Sequence, residues 1–303
     1  MARFVWSTMS TPSKGTEMEF LDAVWRYSFL QNALLAGVLA GVACGVVGSI
    51  VVVRRITYIA GAIAHCVLAG LGAARWLQVA HGQQWADPMV GAVFAALVAA
   101  LVIGAVSLRA GEREDTVIGA LWAIGMAVGI LFIARTPGYN EDLMGYLFGN
   151  ILLVHPNDLV LMAVLDVVVL GLCAALFAQL QAVCFDEEFA RTRGLPVELY
   201  YMLLLALTAL TVVLLVSVVG IVLVIALLTL PAAIAGRFTS TLAGMMGLAA
   251  VLSMGFTTVG LAVSYGPDLP AGAVTIVIAG VTYLAVLGLG PFRRHRRRQR
   301  PAS

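Results

Sequence analysis

An all-α, polytopic bundle of membrane-spanning helices is the fold this sequence predicts, and three observations predict it. The first is composition: of 303 residues, 61% are hydrophobic and 11% charged, with a mean hydropathy of +1.00, which is more apolar surface than one water-soluble core can hide. The second is the length of the apolar runs, which recur at about the 20 residues a helix needs to cross a bilayer. The third is the placement of the bases, which gather at the ends of those runs instead of spreading over a face.

In chain order, residues 1–28 read as an extracytoplasmic lead-in. The stretch up to Gly15 is rich in Ser and Thr and lacks the apolar core of a signal peptide. Met18, Glu19, Phe20, Leu21 and Asp22 then begin an amphipathic approach to the first span, and Met18 is a candidate start. The transmembrane domain is predicted over 29–290, with spans near 29–52, 56–79, 88–108, 116–135, 159–181, 199–217, 219–236, 241–263 and 270–290, about nine in all. The first carries Gly37, Gly41, Gly45 and Gly48 at helical spacing, a small-residue face suited to close packing against another helix. Between Glu198 and Arg237 no charge interrupts the chain. One helix there would measure roughly 57 Å, nearly twice the roughly 30 Å hydrocarbon core, so a hairpin turning near 217–220 fits better. Pro231 falls in its second arm, where a broken helix is tolerated if neighbours cover the freed carbonyl.

Charge placement tests this count. Under nine spans, Arg54 and Arg55, the 109–115 loop, Arg191 and Arg193, Arg237 and the basic tail at 291–303 share one side, whereas the loops 81–87, 137–158 and 265–269 contain no Lys or Arg. The positive-inside rule makes the basic side cytoplasmic, with the N-terminus outside and the C-terminus inside. The tail reads as a topology anchor at an anionic lipid leaflet. A net charge of +2 with bases confined to segment ends argues against a nucleic-acid partner. Cys44, Cys66, Cys173 and Cys184 lie in or beside apolar runs without CxxC spacing and read as packing residues, not as a disulfide framework or a thiolate cluster.

Residues 185–198 stand apart as a polar island between two apolar runs. Asp186 is placed to cap a short helix, Glu187 and Glu188 occupy its first turn, Phe189 follows, Arg191 and Arg193 lie in its last turn, and Gly194 sits where a helix ends on a positive φ. Every charge complements the helix dipole. Such a segment is built to dock on something in water.

Five stretches carry a resemblance. Arg54, Arg55, His65, Leu68 and Gly70 resemble the Arg-Arg…Ser-His-x-x-Leu-x-Gly segment of the permease subunits of zinc/manganese/iron ABC importers. Residues 141–150 resemble that family's Asp-Leu-x-x-Tyr-Leu-Phe-Gly-Asp stretch, and 185–197 its coupling helix. Val219, Gly220, Leu230, Pro231, Ala232, Ala233 and Arg237 resemble its Val-Gly…Pro-Ala-Ala run, and residues 269–272 its Thr-Pro-Ala-Gly. The resemblance covers most of residues 20–290. It implies a homodimeric, multi-pass permease of the bacterial cytoplasmic membrane, driven by a separate ATPase subunit and fed by an extracytoplasmic metal-binding protein, with Asp186, Glu187, Glu188, Phe189, Arg191, Arg193 and Gly194 receiving the ATPase. It implies no chemistry of the chain's own: ATP is hydrolysed by the partner, the divalent metal is substrate and no cofactor is stably bound. In keeping with this, the sequence contains no GxxxxGK[ST].

The departures bear on the substrate. Many members of the family carry an Asp one turn before the histidine, where this chain has Gly61; Ala64 replaces the Ser, and Ala69 a Pro. Neighbours one turn either side of His65 cannot ligate, so a metal site needs ligands from other helices. His65 is the leading pathway residue and transient metal ligand, because neutral imidazole binds first-row divalent metals and an intramembrane histidine demands a partner. Its alternative is a structural histidine bonded to a neighbouring helix carbonyl. Asp166, near the middle of the fifth span, is the second pathway candidate. A packing role through Ser, Thr or backbone donors explains it equally. His81, Asp87, Glu141, Asp142, His155, Asp158 and Asp268 populate the outer loops as a cation vestibule or, equally, as solvated and docking residues. Trp85, Tyr146 and Phe148 read as interfacial anchors. Histidine without the Asp leans toward zinc over manganese or iron. A siderophore or corrinoid permease and an ion-coupled secondary transporter are the remaining readings, and a capped cytoplasmic helix between central spans disfavours the latter.

Overall fold

A computed structural model describes residues 15–109, 114–137, 149, 151, 154–267 and 269–298, and their regular structure is helical. The helices are α1 (Gly15–Arg26), α2 (Ser28–Val53), α3 (Thr57–His81), α4 (Pro88–Leu108), α5 (Glu114–Arg135), α6 (Pro156–Ala175), α7 (Phe177–Phe185), α8 (Glu187–Thr192), α9 (Val197–Val219), α10 (Ile221–Ala235), α11 (Leu242–Tyr265) and α12 (Ala271–Arg298). Eight of them, α2 to α6, α9, α11 and α12, are long and apolar enough to cross a membrane. The remaining predicted span, 219–236, is helical as α10 but has 15 residues. At about 1.5 Å per residue it reaches roughly 22 Å, short of the hydrocarbon core. The predicted fifth span differs too: it begins three residues earlier and breaks at Leu176 (φ −107°, ψ 17°), and α7 carries the chain on to Phe185.

Small residues decide the packing. On α2 the predicted glycine face meets α11 and α10: a Cβ on Gly41 would lie 2.9 Å from the Met254 backbone nitrogen, and Gly45 and Gly48 abut the backbones of Ala250 and Leu228. α3 is gripped from two sides, by α4 where Gly91 meets the Gly70 carbonyl and by α5, whose Gly125 and Gly129 touch Cys66 and Leu68. Contact this close maximises dispersion between helices in a solvent that supplies no hydrophobic drive. Gly129→Leu is therefore expected to pry α3 from α5 and destabilise the protein by about 1 to 3 kcal/mol, read as a lower melting temperature in detergent; unchanged melting would contradict this packing.

The chain reverses at Gly220 (φ 85°), the residue shared by the end of α9 and the start of α10. α9 runs antiparallel to α4, since Tyr201 bonds Ser107 while Met202 and Leu205 lie over Gly104. α10 runs parallel to α2, with Leu228 level with Gly48 and Ala232 and Ala235 clustered with Val52 and Val53. These pairings put Arg54, Arg109, α8 and Arg237 at one end of the bundle. The other end holds the starts of α2, α4 and α6, where Asn32 donates to the Val154 carbonyl. α1 joins that end, burying Phe20 edge-on against Tyr265 at 5.8 Å and leaving Trp25 outside.

Candidate functional site

Two sites emerge, one inside the bundle and one on its basic end. Inside, α3 presents His65 to α5. The side chain is 7% exposed, and its ring stacks on Trp122 with centroids 4.3 Å apart and planes at 26°. The stack depends on Gly61, because a Cβ there would lie 2.6 Å from the indole. Gly61, at the position one turn before the histidine, thereby leaves room for an aromatic plane. Nδ1–H donates to the Gly61 carbonyl at 2.9 Å, which leaves the Nε2 lone pair as the free coordinating position. In the alternative of a structural histidine the acceptor is a carbonyl of a neighbouring helix; the carbonyl that His65 bonds lies on its own helix, one turn back.

Asp166 sits on the buried face of α6 with Met162, Val169 and Cys173, and it is 4% exposed. Among the described residues neither carboxylate oxygen has a hydrogen-bond partner. An ionised carboxylate left so would cost about 3 kcal/mol at a helix centre. His65 and Asp166 occupy different interfaces, α3–α5 and α6–α2, and among the described residues no three His, Cys, Asp or Glu side chains converge on a metal position. All four cysteines are buried and free, and Cys66 donates to the Leu121 carbonyl at 3.4 Å.

At the basic end, α8 is a fully capped single helix. Asp186 Oδ1 accepts the Phe189 N–H at 2.9 Å, and Glu187 and Glu188 fill the first turn. Gly194 (φ 77°) closes the other end, its N–H bonded to Arg191 O and that of Leu195 to Ala190 O, the double bond pattern of a Schellman motif. Ala190 is fully buried against Val183 and Val197, anchoring the helix from below. Phe185, Glu188, Phe189, Arg191 and Arg193 face outward. Arg193 lies over the Phe189 ring at 5.1 Å, and Arg191 pairs with Glu198 at 2.8 Å. An exposed aromatic flanked by acids and bases is a ready surface for a protein partner.

Sequence reasoning missed Trp122, which lies in no motif, and missed the partners of Arg54, whose side chain pairs with Glu187 and covers Tyr201 at 5.4 Å. The Arg-Arg pair is legible as a topology signal, and that reading hides its contacts. Of the outer-loop residues, Asp87 caps α4 by accepting from Met89 and Val90, Asp158 accepts the His155 N–H at the start of α6, and His81 packs edge-on against Trp76. Trp85 is exposed. Glu141, Asp142, Tyr146, Phe148 and Asp268 lie outside the described residues.

Comparison with known proteins follows the same lines. The chain is 40% identical over 271 residues to a protein of Chlamydia pneumoniae named "Probable metal transport system membrane protein", covering 88% of this chain and 92% of that one. It is 33% identical to the manganese transport system membrane protein MntC of Halalkalibacterium halodurans, covering 90% of this chain and 91% of the relative. The solved structure of PsaBC from Streptococcus pneumoniae in complex with a Fab superposes with a TM-score of 0.81 at 30% identity, covering 93% of this chain and 99% of that one. The description of the ABC 3 transport family matches residues 26–289, and the chain is a multi-pass membrane member of that family.

Proposed function

We propose that the chain is the permease subunit of an ABC importer for a divalent first-row transition metal, working as a homodimer with a separate ATPase docked on α8 and a metal-binding protein at the opposite end. His65 carries this reading. A buried imidazole with Nδ1 engaged by Gly61 and Nε2 free is a borderline ligand set inside a wall that is otherwise hydrocarbon. A transported ion needs donors that bind and release, and one imidazole does both. Asp166 is the second pathway group, an unpartnered acid that a passing cation or a proton neutralises. The shared basic end of the bundle supports a cytoplasmic α8 and C-terminus.

Nitrogen donation without a neighbouring carboxylate favours zinc. Manganese is the second reading, favoured by relatives named as manganese transport membrane proteins. In a strain lacking its other zinc and manganese importers, the intact system is expected to restore growth on scarce zinc. Rescue by manganese but not by zinc would reverse the assignment of the metal, and rescue by neither would overturn the importer reading.

A further inference from the structure

The α2–α3 link is three residues long and closed by two backbone hydrogen bonds. The Ile56 N–H bonds Val51 O at 3.0 Å and the Arg55 N–H bonds Val52 O at 3.2 Å, so the turn closes as a Schellman motif. Its left-handed position is filled by Arg55 (φ 61°), the one non-glycine residue with positive φ among those described. A left-handed arginine persists when its surroundings hold it there. Beside it, Arg54 is itself fixed from two sides. Its side chain is 17% exposed, too buried for a base that merely marks the cytoplasmic side. The guanidinium pairs with Glu187 in the first turn of α8 and lies over the Tyr201 ring of α9, whose hydroxyl in turn bonds Ser107 at the end of α4 at 3.2 Å.

One side chain therefore joins α8 to the end of α2, α9 and, through Tyr201, α4. The α2–α3 turn passes any displacement of Arg54 directly to Thr57, eight residues and about 12 Å below His65 on the same helix. We infer that Arg54 is the residue through which movement of α8 reaches α3: Glu187 pulls Arg54, the rigid turn shifts α3, and His65 changes its position against Trp122. This rests on the reading of α8 as the ATPase docking helix and adds to it the route by which docking is felt inside the bundle. Arg54 here is a positioning residue, acting through α3 and not on the metal.

The test measures two quantities on one preparation, the complex of permease, ATPase and metal-binding protein in sealed vesicles: ATP hydrolysed, and labelled zinc or manganese accumulated. In Arg54→Ala, ATPase co-purification and hydrolysis should stay within about twofold of wild type while metal moved per ATP falls about tenfold, the scale of an ordinary allosteric coupling, and in Glu187→Gln metal moved per ATP should fall by the same factor. The double variant should be no worse than either single, because both interrupt one path. A merely structural pair would lower abundance and both rates together, leaving their ratio intact. Glu187 is half-exposed on a surface helix, so Glu187→Gln gives a readout even if Arg54→Ala fails to accumulate. Unchanged metal per ATP in Glu187→Gln overturns the inference, as do losses that multiply in the double variant. Loss of co-purification in Glu187→Gln alone also overturns it, by making Glu187 an ATPase contact while upholding the docking of α8. Failure of the docking reading itself is seen separately, as normal association and uptake when Arg191 and Arg193 are reversed.

Discussion

His65→Ala is expected to abolish growth rescue on scarce metal while the permease still accumulates, pairs and binds its ATPase. The size of the effect follows from the donor set. Among the described residues no three His, Cys, Asp or Glu side chains gather at a metal position, so on the proposed reading removing Nε2 removes a coordinating group that no such cluster replaces. Perturbing even an outer partner of a metal site typically costs about 10- to 100-fold, and loss of the ligand itself should reach the upper end. The alanine also forfeits the stack on Trp122, worth about 0.5 to 1.5 kcal/mol, so some loss of melting temperature accompanies it. A structural role would show the reverse order, abundance falling first and uptake only in proportion. Asp166→Asn is the companion. It keeps shape and removes a charge that has no partner, so abundance should hold or rise, and a fall in uptake per molecule then marks Asp166 as part of the path.

Reversal of Arg191 and Arg193 to Glu is the second large effect, expected to leave the permease inserted but separate it from its ATPase. Both side chains are exposed, and the Arg191–Glu198 pair, half-exposed on each side, contributes no more than about 1 kcal/mol, so the fold should survive. What changes is the surface offered to a partner. Acids at the C-terminal end of α8 oppose its dipole, the cover of Arg193 over Phe189 is lost, and the outward face turns uniformly negative. Gly194→Glu reaches the same result by another route, since a side chain at φ 77° unwinds the cap that sets the end of α8. Normal ATPase co-purification together with normal uptake in both variants would remove α8 from the docking surface.

Much of this was legible in the sequence because membranes impose few rules and apply them strictly. Run length located each of the eight described helices that are long and apolar enough to cross a membrane. The glycines of α2 announced a close contact, met by α11 and α10, and capping rules placed Asp186 and Gly194 at the two ends of α8. The length of α10 was not legible, because an apolar run records where water is absent and not where a helix stops; Gly220 ends one helix and starts another without any charged residue. Trp122 was invisible for a related reason. One aromatic in an apolar helix has no signature until α3 and α5 are packed, and only then does the missing side chain of Gly61 explain why an indole lies on His65. Arg54 and Glu187 are separated by 133 positions, and no local pattern pairs them.

The claim at the centre is that ATP hydrolysed on another subunit drives a divalent metal past His65. The most direct measurement is accumulation of labelled zinc and manganese in sealed vesicles holding permease, ATPase and metal-binding protein, with wild type compared to His65→Ala at matched abundance. The account predicts accumulation that requires ATP in the wild type and is lost in the variant. Accumulation driven by an ion gradient without ATP, or an equal rate in His65→Ala, would contradict it.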